Sequence, residues 1–214
     1  MSDALDLTAM YAMHDALRRE LTHLDRITIR ADLSAAEVLA TAAGWQLFKK
    51  ALHVHHTAED DALWPSLRQN LVDRPDDLVL LEAMEAEHAA IDPLIDAIDA
   101  LLAAPDADPG HLGGLVDSLT VGLAGHLKHE EDAVLPLIQR TLTAEQWAHF
   151  GEVHVQRIGP DAPVLLPWLL DGADESTVER LLAPLPGPAR SAYTAQWLPV
   201  YTTLDRWSPD TAWA

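Results

Sequence analysis

Two stretches of the sequence place a histidine four residues before a glutamate: His55 with Glu59, and His126 with Glu130. In both, an acidic residue follows the glutamate at once and a proline, Pro65 or Pro136, falls six positions after it. Residues four apart lie one above the other on an α-helix, so each copy aims an imidazole and a carboxylate at one point. Both pairs also sit within stripes of apolar residues. The fold must therefore be helical at these positions and must find a way to bury two carboxylates.

Four such stripes run through the first two thirds of the chain. One, from about Leu7 to Ile29, carries Met10, His14, Leu17, Leu21, Leu24 and Thr28 at alternating four- and three-residue spacing. A second, from about Ala35 to Leu67, carries Trp45, Phe48, Leu52, His55, Glu59 and Ala62, with a kink or stop expected at Pro65. A third, from about Asp77 to Leu102, carries Leu81, Met84, His88, Ile91, Ile95, Ile98 and Leu102, with a kink expected at Pro93. The fourth, from about Gly110 to Leu142, carries Leu112, Leu115, Leu119, Gly122, His126, Glu130, Ala133 and Leu137. A Pro- and Asp-rich loop, Ala103 to Gly110, separates the last two. No stretch alternates apolar and polar residues as a half-buried strand would. The pattern predicts an all-α protein, an up-down-up-down four-helix bundle over 1–142 in which one helical hairpin is repeated: His14 precedes His55 much as His88 precedes His126.

Beyond Thr143 the character changes. Thr143 with Gln146 forms a capping-box pattern opening a helix to about Arg157. Pro160, Pro163 and Pro167 should chop the chain, Asp174 or Ser176 should start a short helix, and a last helix is expected from about Ala189 to Trp207. This extension, 143–214, holds five of the seven tryptophans, Trp147, Trp168, Trp197, Trp207 and Trp213. Surface so aromatic is expected to cover something. Packing on the bundle is the favoured reading, and a homodimer interface is the other.

Composition excludes several functions. With 14 Lys and Arg against 34 Asp and Glu, a formal net charge of -20, the chain lacks the cations that binding nucleic acid or an anionic membrane requires. There are no cysteines, which removes disulfides, thiolate metal sites, iron–sulfur clusters and cysteine nucleophiles. The acidic N-terminus is unlike a secretory signal and no apolar run is long enough to span a bilayer, so a cytoplasmic protein is expected.

His14, His55, Glu59, His88, His126 and Glu130 all stand where Leu or Ile belongs. An ionised carboxylate in a core costs several kcal/mol unless it is compensated. A single buried histidine is usually just hydrogen-bonded, but six groups in a repeated arrangement call for cations. Imidazoles and carboxylates from facing helices suit a divalent or trivalent ion. Six donors exceed one tetrahedral zinc, so two ions fit better, with Glu59 and Glu130 as bridges and room for a solvent bridge and an outside ligand.

The spacing His55-x-x-x-Glu59 and His126-x-x-x-Glu130, each preceded by one histidine on the hairpin's first helix, His14 and His88, resembles the hemerythrin-like, HHE cation-binding family. The resemblance covers about Leu7 to Leu142. It implies two non-haem iron ions, a di-iron centre with an oxo or hydroxo bridge that meets dioxygen, peroxide or nitric oxide. His14, His55, His88 and His126 would be terminal ligands. The sequence departs from the oxygen carriers in two places. They have a His-x-x-x-His pair on the third helix, whereas Met84 and Asp92 flank His88 at that spacing. They also have an aspartate five residues after the fourth helix's histidine, where Glu131 stands. The missing fifth histidine argues against reversible oxygen carriage. Catalase- or peroxidase-like decomposition of peroxide is the favoured activity, and a sensing or binding module without turnover is the alternative.

Other residues fit less well. His53, His56 and His129 lack counterparts in the repeat and read as outer partners of the ligands or surface groups. Asp60 and Glu131 read as solvated, and His23, His111 and His149 as surface residues. His154, Tyr193 and Tyr201 are candidates to cap the site. Glu20-Leu21-Thr22-His23 and Glu85-Ala86-Glu87-His88 hold the Glu-x-x-His pairs of ferritin-like di-iron oxidases, but the first misses its apolar stripe.

Overall fold

Apolar residues at three- and four-residue spacing wind nearly the whole chain into helix, and no strand occurs among the described residues of the computed structural model, which are 4–29, 34–104 and 109–208. The first stripe forms α1 (Thr8–Thr28). The second forms α2 (Ser34–Thr41), α3 (Ala43–Ala58), a π-helical turn (Glu59–Leu63) and α4 (Trp64–Asn70). The third is α5 (Pro75–Leu102). The fourth is α6 (Pro109–His129), a second π-helical turn (Glu130–Val134) and α7 (Leu135–Thr141). The rest of the chain forms α8 (Ala144–Ile158), a 3-10 turn (Gly159–Asp161), α9 (Ala162–Leu170), α10 (Glu175–Leu182), α11 (Gly187–Ala192), a third π-helical turn (Tyr193–Trp197) and α12 (Leu198–Thr202).

The second stripe is not one helix, and the reason lies at the far end of the chain. Ala42 is extended, with φ -68° and ψ 122°, so α2 and α3 are separate. Just beyond it the Gly44 N–H donates to the Arg206 carbonyl at 2.7 Å. The Trp207 ring packs so close that a Cβ on Gly44 would stand 2.5 Å from its Cε2. Only glycine fits, and the backbone N–H it offers is used between segments rather than within a helix.

Pro65, where a kink or stop is expected, does not end its helix, and neither does Pro136. A proline has no N–H, and its ring presses on the carbonyl four residues back. Here the preceding residue reaches one residue further: Trp64 N–H donates to Glu59 O and Leu135 N–H to Glu130 O. This π-type bond widens the turn and lets the helix continue. The same device precedes Pro199, where Leu198 N–H donates to Tyr193 O. The exposed Pro93 lies inside α5 with no such turn. Pro163 sits in the first turn of α9, where no N–H is called for, and Pro167 lies further along the same helix.

The stripes are buried largely as the spacing predicts, except that Gly122 is exposed and Leu119 and Leu123 fill the core beside it. Two apolar clusters result. One contains Leu17, Leu21, Trp45, Phe48, Leu52, Ile91, Ile98, Leu119 and Leu123. The other contains Met10, Leu63, Trp64, Leu67, Leu81, Met84, Val134 and Leu137. The predicted polar residues lie between them. Along α1 and α5 the order is second cluster, histidine, first cluster (Met10, His14, Leu17; Met84, His88, Ile91). From α3 into α4, and from α6 into α7, it runs the other way (Leu52, His55, Leu63; Leu123, His126, Val134). Helix α6 packs against both α1 and α5, and α1 against α3.

The C-terminal segments lie on this bundle, α8 against α3, and α9 and α10 against α1. The capping box at Thr143 and Gln146 forms, with reciprocal bonds of 3.0 and 3.1 Å. Asp174, not Ser176, caps α10. The last helix stops at Thr202, short of the expected Trp207. Trp168 is fully buried in the first cluster. Trp207 Nε1 donates to Glu20 Oε2 at 2.8 Å, and its ring stacks on His23. Arg19 donates to the other Glu20 oxygen and to the carbonyls of Trp168 and Asp171. Trp213 lies outside the described residues. Among those residues no helix is long and apolar enough to cross a membrane.

Candidate metal centre

Four helical segments bring their polar residues to the layer between the two clusters. Helix α1 supplies His14, α3 supplies His55 and His56, α5 supplies His88 and α6 supplies His126. Glu59 and Glu130 are the first residues of the two π-helical turns. The proline six residues after each glutamate, part of the sequence repeat, thus coincides with a widened turn that starts at the carboxylate. None of these seven residues is more than 4% exposed.

Their donor atoms converge and, apart from the contact between His88 and His126, do not hydrogen-bond one another as a satisfied core would. His14 Nε2 lies 3.1 Å from Glu130 Oε2 and His55 Nε2 lies 3.5 Å from Glu59 Oε1. His88 Nε2 lies 3.4 Å from Glu59 Oε2 and 3.2 Å from His126 Nε2. Despite these approaches, His14 Nε2, His55 Nε2 and all four oxygens of Glu59 and Glu130 are buried with no aligned hydrogen-bond partner. Two groups emerge, each with donor atoms within 4.8 Å of one another: His14, His55, Glu59 and Glu130, and His56, His88 and His126. All six residues singled out from the sequence are present in them.

The rim of the site corrects the sequence reading. Glu131 is not simply solvated, because its Oε1 lies 2.9 Å from His14 Nδ1 and it also takes two bonds from Arg18 at 2.8 and 2.9 Å. Asp60 is likewise engaged, with Oδ1 2.9 Å from His88 Nδ1 and accepting from Trp64 Nε1. Glu87, which sequence reasoning passed over, lies 2.9 Å from His126 Nδ1 and 2.8 Å from His129 Nδ1. Carboxylates on Nδ1 make those nitrogens donors, which in a neutral ring leaves Nε2 as an acceptor aimed inward. The signal for two of them was visible: an acidic residue follows the motif glutamate in both copies. His56, read as an outer or surface group, is buried against the rings of His88 and His126.

Of the proposed caps, His154 on α8 stands beside the site, its ring 6.2 Å from that of His55. Tyr201 instead packs in the first apolar cluster and donates to Asp171 at 2.9 Å. The ferritin-like pairs are occupied elsewhere: Glu20 with Arg19 and Trp207, and the exposed Glu85 with Arg68.

Electrostatics follow burial and neighbours. Burial, then Glu130 and Asp60, push Glu59 well above the usual carboxylate range. Burial also raises Glu130, but the imidazoles of His14, His126 and His88 outweigh it and hold Glu130 below that range. Burial would lower His14, yet Glu130 and Glu131 raise it to about 9. Burial and neighbouring imidazoles push His55 and His56 well down. Without a cation, then, one buried carboxyl is pushed toward its neutral form and one histidine toward its charged form. Bare acceptor nitrogens facing each other, and carboxylate oxygens with no donor, are what cations would resolve, so the residues present fit metal binding.

The family model described as Hemerythrin HHE cation binding domain matches residues 5–138 of the chain. No individual curated protein and no solved structure matches it.

Proposed function

Because the chain belongs to the hemerythrin HHE cation-binding domain family, we propose that it is a non-haem di-iron protein whose centre meets peroxide, dioxygen or nitric oxide, with peroxide decomposition as its activity. The observation that carries this reading is the convergence of buried donors from four helical segments on one layer, with His14 Nε2, His55 Nε2 and the oxygens of Glu59 and Glu130 unpartnered. His14, His55, His88 and His126 would be terminal ligands and Glu59 and Glu130 the bridging ones. The order in which the helices cross the two apolar clusters alternates, which is the order an up-down-up-down bundle gives. Residues 1–142 are then the metal-binding unit and 143–214 its cover.

Bound iron would supply one-electron redox steps and coordination positions for a small oxidant. The chain's own groups do the rest. Glu59 and Glu130 offset the cations' charge, and the near-complete burial of the donors keeps bulk water away. Glu131, Asp60 and Glu87 hold the Nδ1 protons of His14, His88 and His126, which orients the rings and makes each Nε2 more basic. The test is iron content together with peroxide consumption. Two irons per chain, lost in Glu59→Ala, and catalytic turnover of added peroxide support the reading, while an iron-free protein after loading removes it.

A sensing role is the second reading, and one contact favours it. Helix α3, which carries His55 and leads into Glu59, has Gly44 in its first turn, where Arg206 and Trp207 are docked. A shift of α3 on ligand binding would reach the C-terminal segment directly. Peroxide bound without turnover, with altered protease sensitivity near Arg206, would mark this role.

A further inference from the structure

His56 is the least explained of the buried polar residues. It follows His55 on α3, so it projects about 100° further round that helix, toward α5 and α6 rather than α1. It is 4% exposed, and neither Nδ1 nor Nε2 has a hydrogen-bond partner. A buried polar group left unpaired costs on the order of 1–3 kcal/mol, so a leucine or phenylalanine would fill the same space better. Space-filling therefore does not account for it.

Its surroundings do. The ring lies flat on His88, with centroids 3.9 Å apart and planes 9° from parallel, and edge-on to His126 at 5.4 Å. Asp60 and Glu87 bind the Nδ1 atoms of His88 and His126, so the Nε2 atoms, 3.2 Å apart, both face inward as acceptors. Nitrogens at that separation need a proton or a metal cation between them. His56 offers a third nitrogen within 4.8 Å of them. Both carboxylates fall in the neighbouring group, and one of them reaches across: Glu59 Oε2 lies 3.4 Å from His88 Nε2.

We propose that His56, His88 and His126 form a three-imidazole subsite for a divalent transition-metal ion, beside the carboxylate-rich subsite of His14, His55, Glu59 and Glu130. His56 thereby stands in for the imidazole that the spacing around His88 lacks. The inference rests on the two-metal reading above and goes beyond it by making the two positions chemically unequal. With Glu59 and Glu130 shared between the two positions, three imidazoles at one against two at the other favour a softer divalent ion at the first. The two ions therefore bind unequally, in two steps, of which only one depends on His56.

Cobalt(II) alone is the probe, titrated into the full-length metal-free protein and followed by its visible ligand-field absorption. The wild type is expected to take up two equivalents in two steps. His56→Leu, which removes the unpaired nitrogens and keeps an apolar filler, is expected to retain the first step and weaken the second by more than about 100-fold, beyond the loss of an outer partner. His56→Gln serves where the leucine variant misfolds, and loses the same step. In the cobalt-loaded wild type, hyperfine-shifted imidazole N–H signals in proton NMR should include one that the variant lacks. Two undiminished equivalents in both variants, with the same imidazole signals, overturn the role of His56 and leave the two-metal reading standing. A wild type that takes up fewer than two equivalents overturns that reading itself.

Discussion

Glu131 bonds His14 Nδ1 and, with both oxygens, the guanidinium of Arg18, so one carboxylate ties a proposed ligand to a cation on the same helix. Its own pKa is held at about 2: burial would raise it, and the bonds from His14 and Arg18 more than reverse that. Glu131→Gln keeps the shape and removes the charge. Metal affinity is expected to fall about 10–100-fold, the usual effect of losing an outer partner, in this variant and in Asp60→Asn and Glu87→Gln. Asp132→Asn, which alters only an exposed pair with Lys128, should leave affinity unchanged. Equal affinity in all four proteins would show that these carboxylates do not orient the ligands.

Glu59 should trade stability for binding. In the metal-free protein its carboxyl is buried, unpartnered and pushed toward the neutral form. Glu59→Leu removes those unsatisfied oxygens at similar volume. The metal-free variant is expected to be more stable than metal-free wild type by about 1–3 kcal/mol in urea unfolding, while binding no metal. A less stable variant would mean that the carboxyl has a structural partner in the empty bundle.

Acid should destabilise the metal-free protein partly through His154. Burial, with Arg157 nearby, lowers this histidine to about 4 from the ordinary 6.5. The unfolded chain therefore binds a proton below about pH 6.5 that the folded chain refuses until about pH 4. Stability on this account falls as pH drops through that window and levels off beneath it. His154→Phe should flatten the fall by roughly one proton's worth, about 1–3 kcal/mol across the window. Melting curves of the two proteins from pH 7 to 4 decide it, and parallel curves would rule the contribution out.

The bond from Trp207 to Glu20 should be a stability contact with no part in metal binding. Trp207→Phe keeps the ring over His23 and leaves Glu20 Oε2 without its donor. A loss of about 1–3 kcal/mol is expected, with metal content unchanged. Gly44→Ala should do more harm, since its methyl would collide with the Trp207 ring and the Arg206 carbonyl. Its signature is faster proteolytic cleavage around Leu204, and wild-type cleavage rates would count against the docking.

The sequence carried the metal layer because two independent regularities met there. Helical spacing placed His14, His55, Glu59, His88, His126 and Glu130 in the stripes, and the internal repeat selected among neighbours. The repeat failed at His56, which has Leu127 as its counterpart: burial there depends on which helices flank α3, and spacing along one helix does not contain that. It failed again at Glu20, whose stripe neighbours gave no hint of a partner almost at the other end of the chain. Pro65 and Pro136 were visible, but the widened turn that absorbs them was not. Pro93, tolerated without one, shows that proline alone does not dictate it.

The break at Ala42 has a consequence for synthesis. A ribosome delivers Gly44 long before Arg206, so the N–H at the start of α3 has no final partner while most of the bundle is already outside the exit tunnel. The helix that carries two of the imidazoles and leads into a carboxylate acquires its boundary late. Until Arg206 has been made, the helix start that frames those imidazoles lacks the partner it has in the folded chain.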